Sequence, residues 1–150
     1  MKIKISTLLS RANDAPNDIE RARILRDNSS ATLNSILGMS FDPKVKWLVP
    51  GKFTYKPNRD PKDTLDERLY VESRRLYLFV AGGNPTLAQE RREILFVQML
   101  ESLDIEDAKM LLYVKDQNLE GLYPNLTYNF VRSLYKSGIA SHWGEKDHRV

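Results

Sequence analysis

The sequence predicts a mainly α-helical fold: a compact single-domain bundle of about six to seven short helices, with a long proline-rich extended arm at 40–64. Three observations predict it. Apolar residues recur at three- and four-residue spacing on both sides of the arm, as in Leu33, Ile36 and Leu37 or Phe130, Val131 and Leu134. Capping residues and breakers such as Asn17, Asp104, Thr127 and Gly138 fall at the ends of those stretches. Prolines at 43, 50, 57 and 61 crowd one segment, and that density forbids a helix there. With 150 residues, 41% hydrophobic and 29% charged, the chain suits one packed core rather than a disordered tail. The core is expected to occupy 1–139, and 140–150 to form a flexible polar tail.

The elements follow in order. Ser6 or Thr7 is expected to cap a first helix with Leu8, Leu9 and Ala12 inward, ended by Pro16. Asn17 caps a second, carrying Ile19, Ala22 and Leu25, which Asn28, Ser29 and Ser30 break. A third carries Leu33, Ile36 and Leu37, with Gly38 as its stop. In the arm, Val45, Trp47 and Val49 alternate, as do Phe53 and Tyr55, and Pro50-Gly51 suits a type II turn. A helix is expected over 66–81, with Leu69, Leu76 and Val80 on one face and Gly82-Gly83-Asn84-Pro85 as its end. The next begins at Pro85 or Thr86 and is apolar on most sides after Glu93, which marks it as the central helix. Asp104 caps 105–117, whose Glu106 and Asp107 favour the positive end of the helix dipole. Thr127 caps the last helix and Gly138 ends it.

Composition excludes some functions. Without cysteine there is no disulfide, thiolate nucleophile or Cys-ligated metal, which fits a reducing compartment. The amino-terminal residues lack the apolar run of a secretory signal, and no apolar stretch is long enough to span a bilayer, so the expected location is the cytosol. No metal or cofactor site is expected. His142 and His148, with Glu145 and Asp147 between them, lie in the tail and lack the rigid frame that zinc needs. Asp107-Ala108-Lys109 matches half of a nuclease motif, but on a helix rather than the usual strand. Glu67, Glu72, Glu90 and Glu93 stand among arginines as solvated ion pairs, Arg68–Glu72 among them. Gly82-Gly83-Asn84 lacks the Gly-Lys-Ser/Thr of a phosphate loop.

One constellation remains. The net charge is +3, yet 43–59 alone holds Lys44, Lys46, Lys52, Lys56 and Arg59 with no acid, so the positive excess is local. Trp47, Phe53 and Tyr55 are interleaved with these cations. Arg74 and Arg75, with Arg91 and Arg92, form a second basic set that one positive face can share with the arm. Cations beside flat rings suit a nucleic-acid strand, since charges displace counterions from phosphate and rings stack on bases. Aromatic and arginine side chains equally suit a protein partner. On a third reading, the rings merely pin the arm to the core while the lysines point into water.

Several stretches carry a family resemblance. They are Leu-Asn-Ser-Ile-Leu-Gly-Met-Ser-Phe-Asp-Pro at 33–43, Tyr-Lys-Pro-Asn at 55–58, and Arg68-Leu69-Tyr70 with Arg74-Arg75-Leu76-Tyr77. The others are Arg-Arg-Glu-Ile-Leu-Phe-Val-Gln-Met-Leu-Glu-Ser-Leu at 91–103, 111–116, and Tyr-Pro-Asn-Leu-Thr at 123–127. Together they span most of 33–134, and the chain resembles an uncharacterised family of small proteins from T4-like tailed bacteriophages, cyanophages included. The tail after Gly138 departs from that pattern. The resemblance implies a phage origin and the host cytoplasm, and no catalytic residue. The expected function is therefore a non-enzymatic phage accessory protein that binds a host or phage protein. The alternative is a nucleic-acid-binding module using 43–59. The expected contact residues are Lys44, Lys46, Trp47, Lys52, Phe53, Tyr55, Lys56, Arg59, Arg74 and Arg75.

Overall fold

A computed structural model describes residues 2–59 and 67–136, the side chains of Tyr135 and Lys136 excepted. Part of the expected arm (60–64), the stop at Gly138 and the tail with His142 and His148 lie outside the described residues. The fold is mainly helical, as expected: α1 (Ile5–Asn13), α2 (Asp18–Asp27), α3 (Ala31–Phe41), α4 (Arg68–Glu72), a 3-10 helix (Ser73–Phe79), α5 (Gln89–Ser102), α6 (Ile105–Lys115), α7 (Leu119–Leu122) and α8 (Tyr128–Lys136). The described residues contain no strand, only an isolated antiparallel bridge between Trp47 and Val80.

Each helix contributes to one hydrophobic cluster. In α1, Ile5, Leu8, Leu9 and Ala12 are all buried, the i, i+3, i+4, i+7 stripe of an amphipathic helix. Asn17 caps α2 by accepting from Glu20 N at 2.9 Å, and Ser30 caps α3 by accepting from Leu33 N at 3.0 Å. Asp104 accepts from Glu106 N at 2.9 Å, and the Thr127 hydroxyl from Phe130 N at 3.1 Å, so the expected caps of α6 and α8 are both present.

Four local expectations are corrected. α1 begins at Ile5, because the Ser6 N–H is taken by Asp107, a residue far along the chain. α3 runs through Gly38 and stops at Phe41, since Pro43 forces Asp42 out of helical geometry (ψ 114°). The helix expected over 66–81 is a short α-helix leading into a 3-10 helix. Its three-residue period stacks Ser73, Leu76 and Phe79 inward and Arg74 and Tyr77 outward. α5 starts at Gln89 rather than 85–86, and it is not central: Ile94, Gln98 and Glu101 are exposed on its outer side. The central helix is α6, which packs on α1, α3, α5 and α7.

Candidate functional site

The arm leaves α3 through a turn in which the Asp42 carboxylate accepts from Lys44 N at 2.9 Å. It then runs beside the end of the 3-10 helix. Leu48 N donates to Phe79 O at 2.7 Å, and Ala81 N to Lys46 O at 2.8 Å. An extended chain sends successive side chains to opposite faces. Here the odd residues Trp47, Val49, Phe53 and Tyr55 turn toward the core, while the even Lys44, Lys46, Lys52, Thr54 and Lys56 are exposed. Cations and rings therefore occupy opposite faces.

Each inward ring is held. The Trp47 Nε1–H donates to Met39 O at 2.9 Å. Phe53 and Phe79 both meet Phe96 edge-on at 5.1 Å between centroids. Tyr55 packs on the core, and burial raises its hydroxyl pKa. Polar groups hold the backbone. The Lys115 ammonium reaches Gly51 O and Asp116 Oδ1, both at 2.7 Å, and lies 5.4 Å from the Phe53 ring centroid. Gln89 donates to Leu48 O at 2.7 Å, and Glu101 accepts from Lys56 N at 2.8 Å. Of the three sequence-based readings, this geometry matches the pinned arm: the rings supply no stacking platform next to the cations. Gly51, at φ 86°, takes the backbone that the expected type II turn requires.

The outer face keeps its charge. Among the described residues, no carboxylate lies within ion-pair distance of Lys46, Lys52, Lys56 or Arg59. Arg74 and Arg75 are exposed on the 3-10 helix. At about 2 Å rise per residue, Arg74 stands about 10 Å along its axis from the Phe79 carbonyl that pairs with the arm. Arg75 is 3.6 Å from Glu72, which also meets Arg68 at 3.3 Å, the pair expected from spacing, but Glu72 is buried rather than solvated because its helix packs on the core through that side. Arg92, grouped with the basic set by sequence, is buried. Its guanidinium donates to Leu78 O at 2.9 Å and Asn84 O at 3.1 Å.

Sequence reasoning missed the buried polar groups, which serve helix ends and loops. Arg21 donates to Ala12 O and Ala15 O, both at 2.9 Å, at the end of α1. Asp107 is fully buried, and its Oδ1 accepts from Ser6 N at 3.0 Å. Burial raises its pKa to about 6, with the Ser6 hydroxyl, the Ser6 N–H and Lys4 opposing the rise and Asp104 adding to it. Among the described residues its Oδ2 and the Ser6 hydroxyl make no hydrogen bond of ordinary geometry, although the hydroxyl stands close enough to favour the charged carboxylate. Lys109 is exposed while Asp107 is buried, so the half-motif does not converge on one site. Among the described residues, no group of three or more His, Asp or Glu is placed to hold a metal ion. No helix among them is long and apolar enough to cross a membrane.

A family model described as a family of unknown function (DUF6433) matches residues 8–121. The chain belongs to that family. No curated protein and no solved structure matches it. The DUF6433 match runs from within α1 into α7, so it takes in the arm, the helices that anchor it and Asp107.

Proposed function

We propose that this DUF6433 member is a non-enzymatic accessory protein of a tailed bacteriophage, acting in the host cytoplasm by binding an acidic surface of a host or phage protein. The observation that carries this reading is the parity of the arm. Lys44, Lys46, Lys52 and Lys56 project from one side of a backbone fastened to the core on its other side. A fastened backbone loses little further conformational freedom when it docks, so its charges meet a partner already in place. Such a row speeds encounter with an oppositely charged surface, and the effect weakens with salt.

Charge reversal on the outer face is the clean test, because Trp47→Ala would unpin the arm and confound binding with stability. The wild-type protein is expected to retain a specific partner from infected-cell lysate at mild salt. The Lys46→Glu, Lys52→Glu double variant is expected to lose it while unfolding at the same temperature. Recovery of no partner, or of the same partner by both proteins, removes the support for this reading. The nucleic-acid alternative keeps one favourable feature, the cation row of a segment, 43–59, whose sequence holds no acid. It has lost the stacking rings, so it predicts only sequence-independent phosphate contact. A gel shift of labelled single-stranded DNA at low salt, abolished by the double variant, would favour it instead.

A further inference from the structure

The 3-10 helix carries an exposed ridge beside the arm. Its three-residue period turns Arg74 and Tyr77 outward, and Val71, one turn earlier on α4, is exposed as well. Val71 is 58% exposed and Tyr77 50%, which makes Tyr77 the most exposed ring among the described residues. We propose that this ridge docks an acidic, extended segment of a partner protein, one that also carries an apolar side chain, with Tyr77 as the anchor. The assignment rests on the proposed role of the lysine row and names the partner chemistry at its edge.

A row of exposed lysines speeds encounter but adds little affinity, because water and salt screen exposed ion pairs. Affinity comes from rings and arginines that leave water on docking. The arm does not supply them, since Trp47, Phe53 and Tyr55 pack on the core. The exposed Tyr77 ring meets that need. Ridge and row belong to one surface. Phe53 of the arm and Phe79 of the 3-10 helix both meet the Phe96 ring at 5.1 Å, so the two elements lie side by side on the same core and their exposed sides adjoin. The Leu48–Phe79 and Ala81–Lys46 hydrogen bonds join them directly. The charge suits an acidic partner. Among the described residues no carboxylate lies within ion-pair distance of Arg74, while the buried Glu72 takes up Arg68 and Arg75. Glu67, the other acid of this stretch among the described residues, lies beyond Val71, at the far end from Tyr77. Arg74 and Tyr77 stand about 6 Å apart along the axis. An extended chain advances about 3.3 Å per residue and turns every second side chain to the same face, so an acid and an apolar residue two positions apart meet this pair together.

The test is a selection from a library of random short peptides on the immobilised full chain, run in parallel on Tyr77→Ala. Peptides retained by the wild type are expected to place Asp or Glu two positions from Leu, Ile, Phe or Trp. The Tyr77→Ala protein should keep the preference for acids and lose that for apolar residues. A labelled copy of the best peptide should bind Tyr77→Ala about tenfold or more weakly and Tyr77→Phe as it binds the wild type, with all three proteins unfolding at the same temperature. Acidic peptides without an apolar preference, or equal binding by Tyr77→Ala, overturn the ridge and leave the lysine row in place. Retention of no acidic peptide overturns both. Binding of single-stranded DNA that Tyr77→Ala weakens, with no peptide enriched, makes the ring a base-stacking platform and overturns the protein assignment.

Discussion

Gln117 has φ 50°, a left-handed conformation that costs a side-chain-bearing residue roughly 1–2 kcal/mol. It stands where glycine usually ends a helix: Asn118 N donates to Tyr113 O and Gln117 N to Val114 O, both at 2.9 Å, the paired bonds of a Schellman turn. A glutamine is kept there because its Nε2 crosses to α3, donating to Asp42 O at 2.9 Å and Met39 O at 3.2 Å. Gln117→Ala keeps the strain and loses both bonds, so about 1–2 kcal/mol of stability should go. Gln117→Gly loses the bonds but relieves the strain, and should stay within about 0.5 kcal/mol of wild type. Urea unfolding decides, and an alanine variant as stable as the glycine variant refutes the account. Gly83 is a position of close approach. A Cβ there would lie 1.8 Å from Tyr77 O, a backbone atom of the 3-10 helix. Gly83→Ala should cost about 2–3 kcal/mol, and an unchanged melting temperature would show that the turn yields.

Several elements are finished by distant residues, Asp107 at the start of α1 most tellingly. Its carboxyl, ordinarily near 3.8, is raised to about 6 by burial, so folding disfavours its charged form. The penalty is absent below the unfolded pKa, grows between 3.8 and about 6, and is full above that, reaching about 3 kcal/mol. The folded protein should therefore gain stability from this group as pH falls from 7 toward 4. Asp107→Asn keeps an oxygen for Ser6 N and brings an amide toward the Ser6 hydroxyl. At pH 7 it should be more stable than wild type, and the gap should close near pH 4. Lys4, Asp104, Tyr70 and Tyr123 share this surrounding and stay unchanged in both proteins, so the difference isolates Asp107. Denaturant curves at the two pH values test it; a less stable asparagine variant at pH 7, or a gap that persists on acidification, contradicts it.

At the scale of the whole molecule, the arm makes one body with the bundle only through its anchors, and these divide it in two. Trp47, the Leu48 and Ala81 hydrogen bonds and Val49 hold the first half; Phe53, Tyr55 and the Lys56–Glu101 contact hold the second. Phe53→Ala removes a half-buried ring, which should cost about 2 kcal/mol and free mainly the second half. Hydrogen exchange should then show the Lys56 amide losing protection by about tenfold or more, with Leu48 unchanged. Equal acceleration at both amides means that the arm opens as a unit. The opposed faces were legible beforehand in the alternation of lysines with rings, because an extended backbone has a period of two. Reading those residues as one mixed surface overlooked that period. The 3-10 segment was less legible, since Leu69, Leu76 and Val80 also satisfy an α-helical spacing.

What the sequence by itself determined is local: the helices with strong apolar stripes, the caps at Asn17, Asp104 and Thr127, and the extended, proline-broken run that follows α3. Those features depend on groups within a turn or two of one another. The tertiary structure alone decided that α6 lies at the centre, that Asp107 serves α1, and that Gln117 and Trp47 serve α3. Ser6 and Asp107 are 101 positions apart. An unpaired N–H or C=O at a helix end is satisfied by whatever partner packing brings within reach, and no neighbouring residue records which one that is.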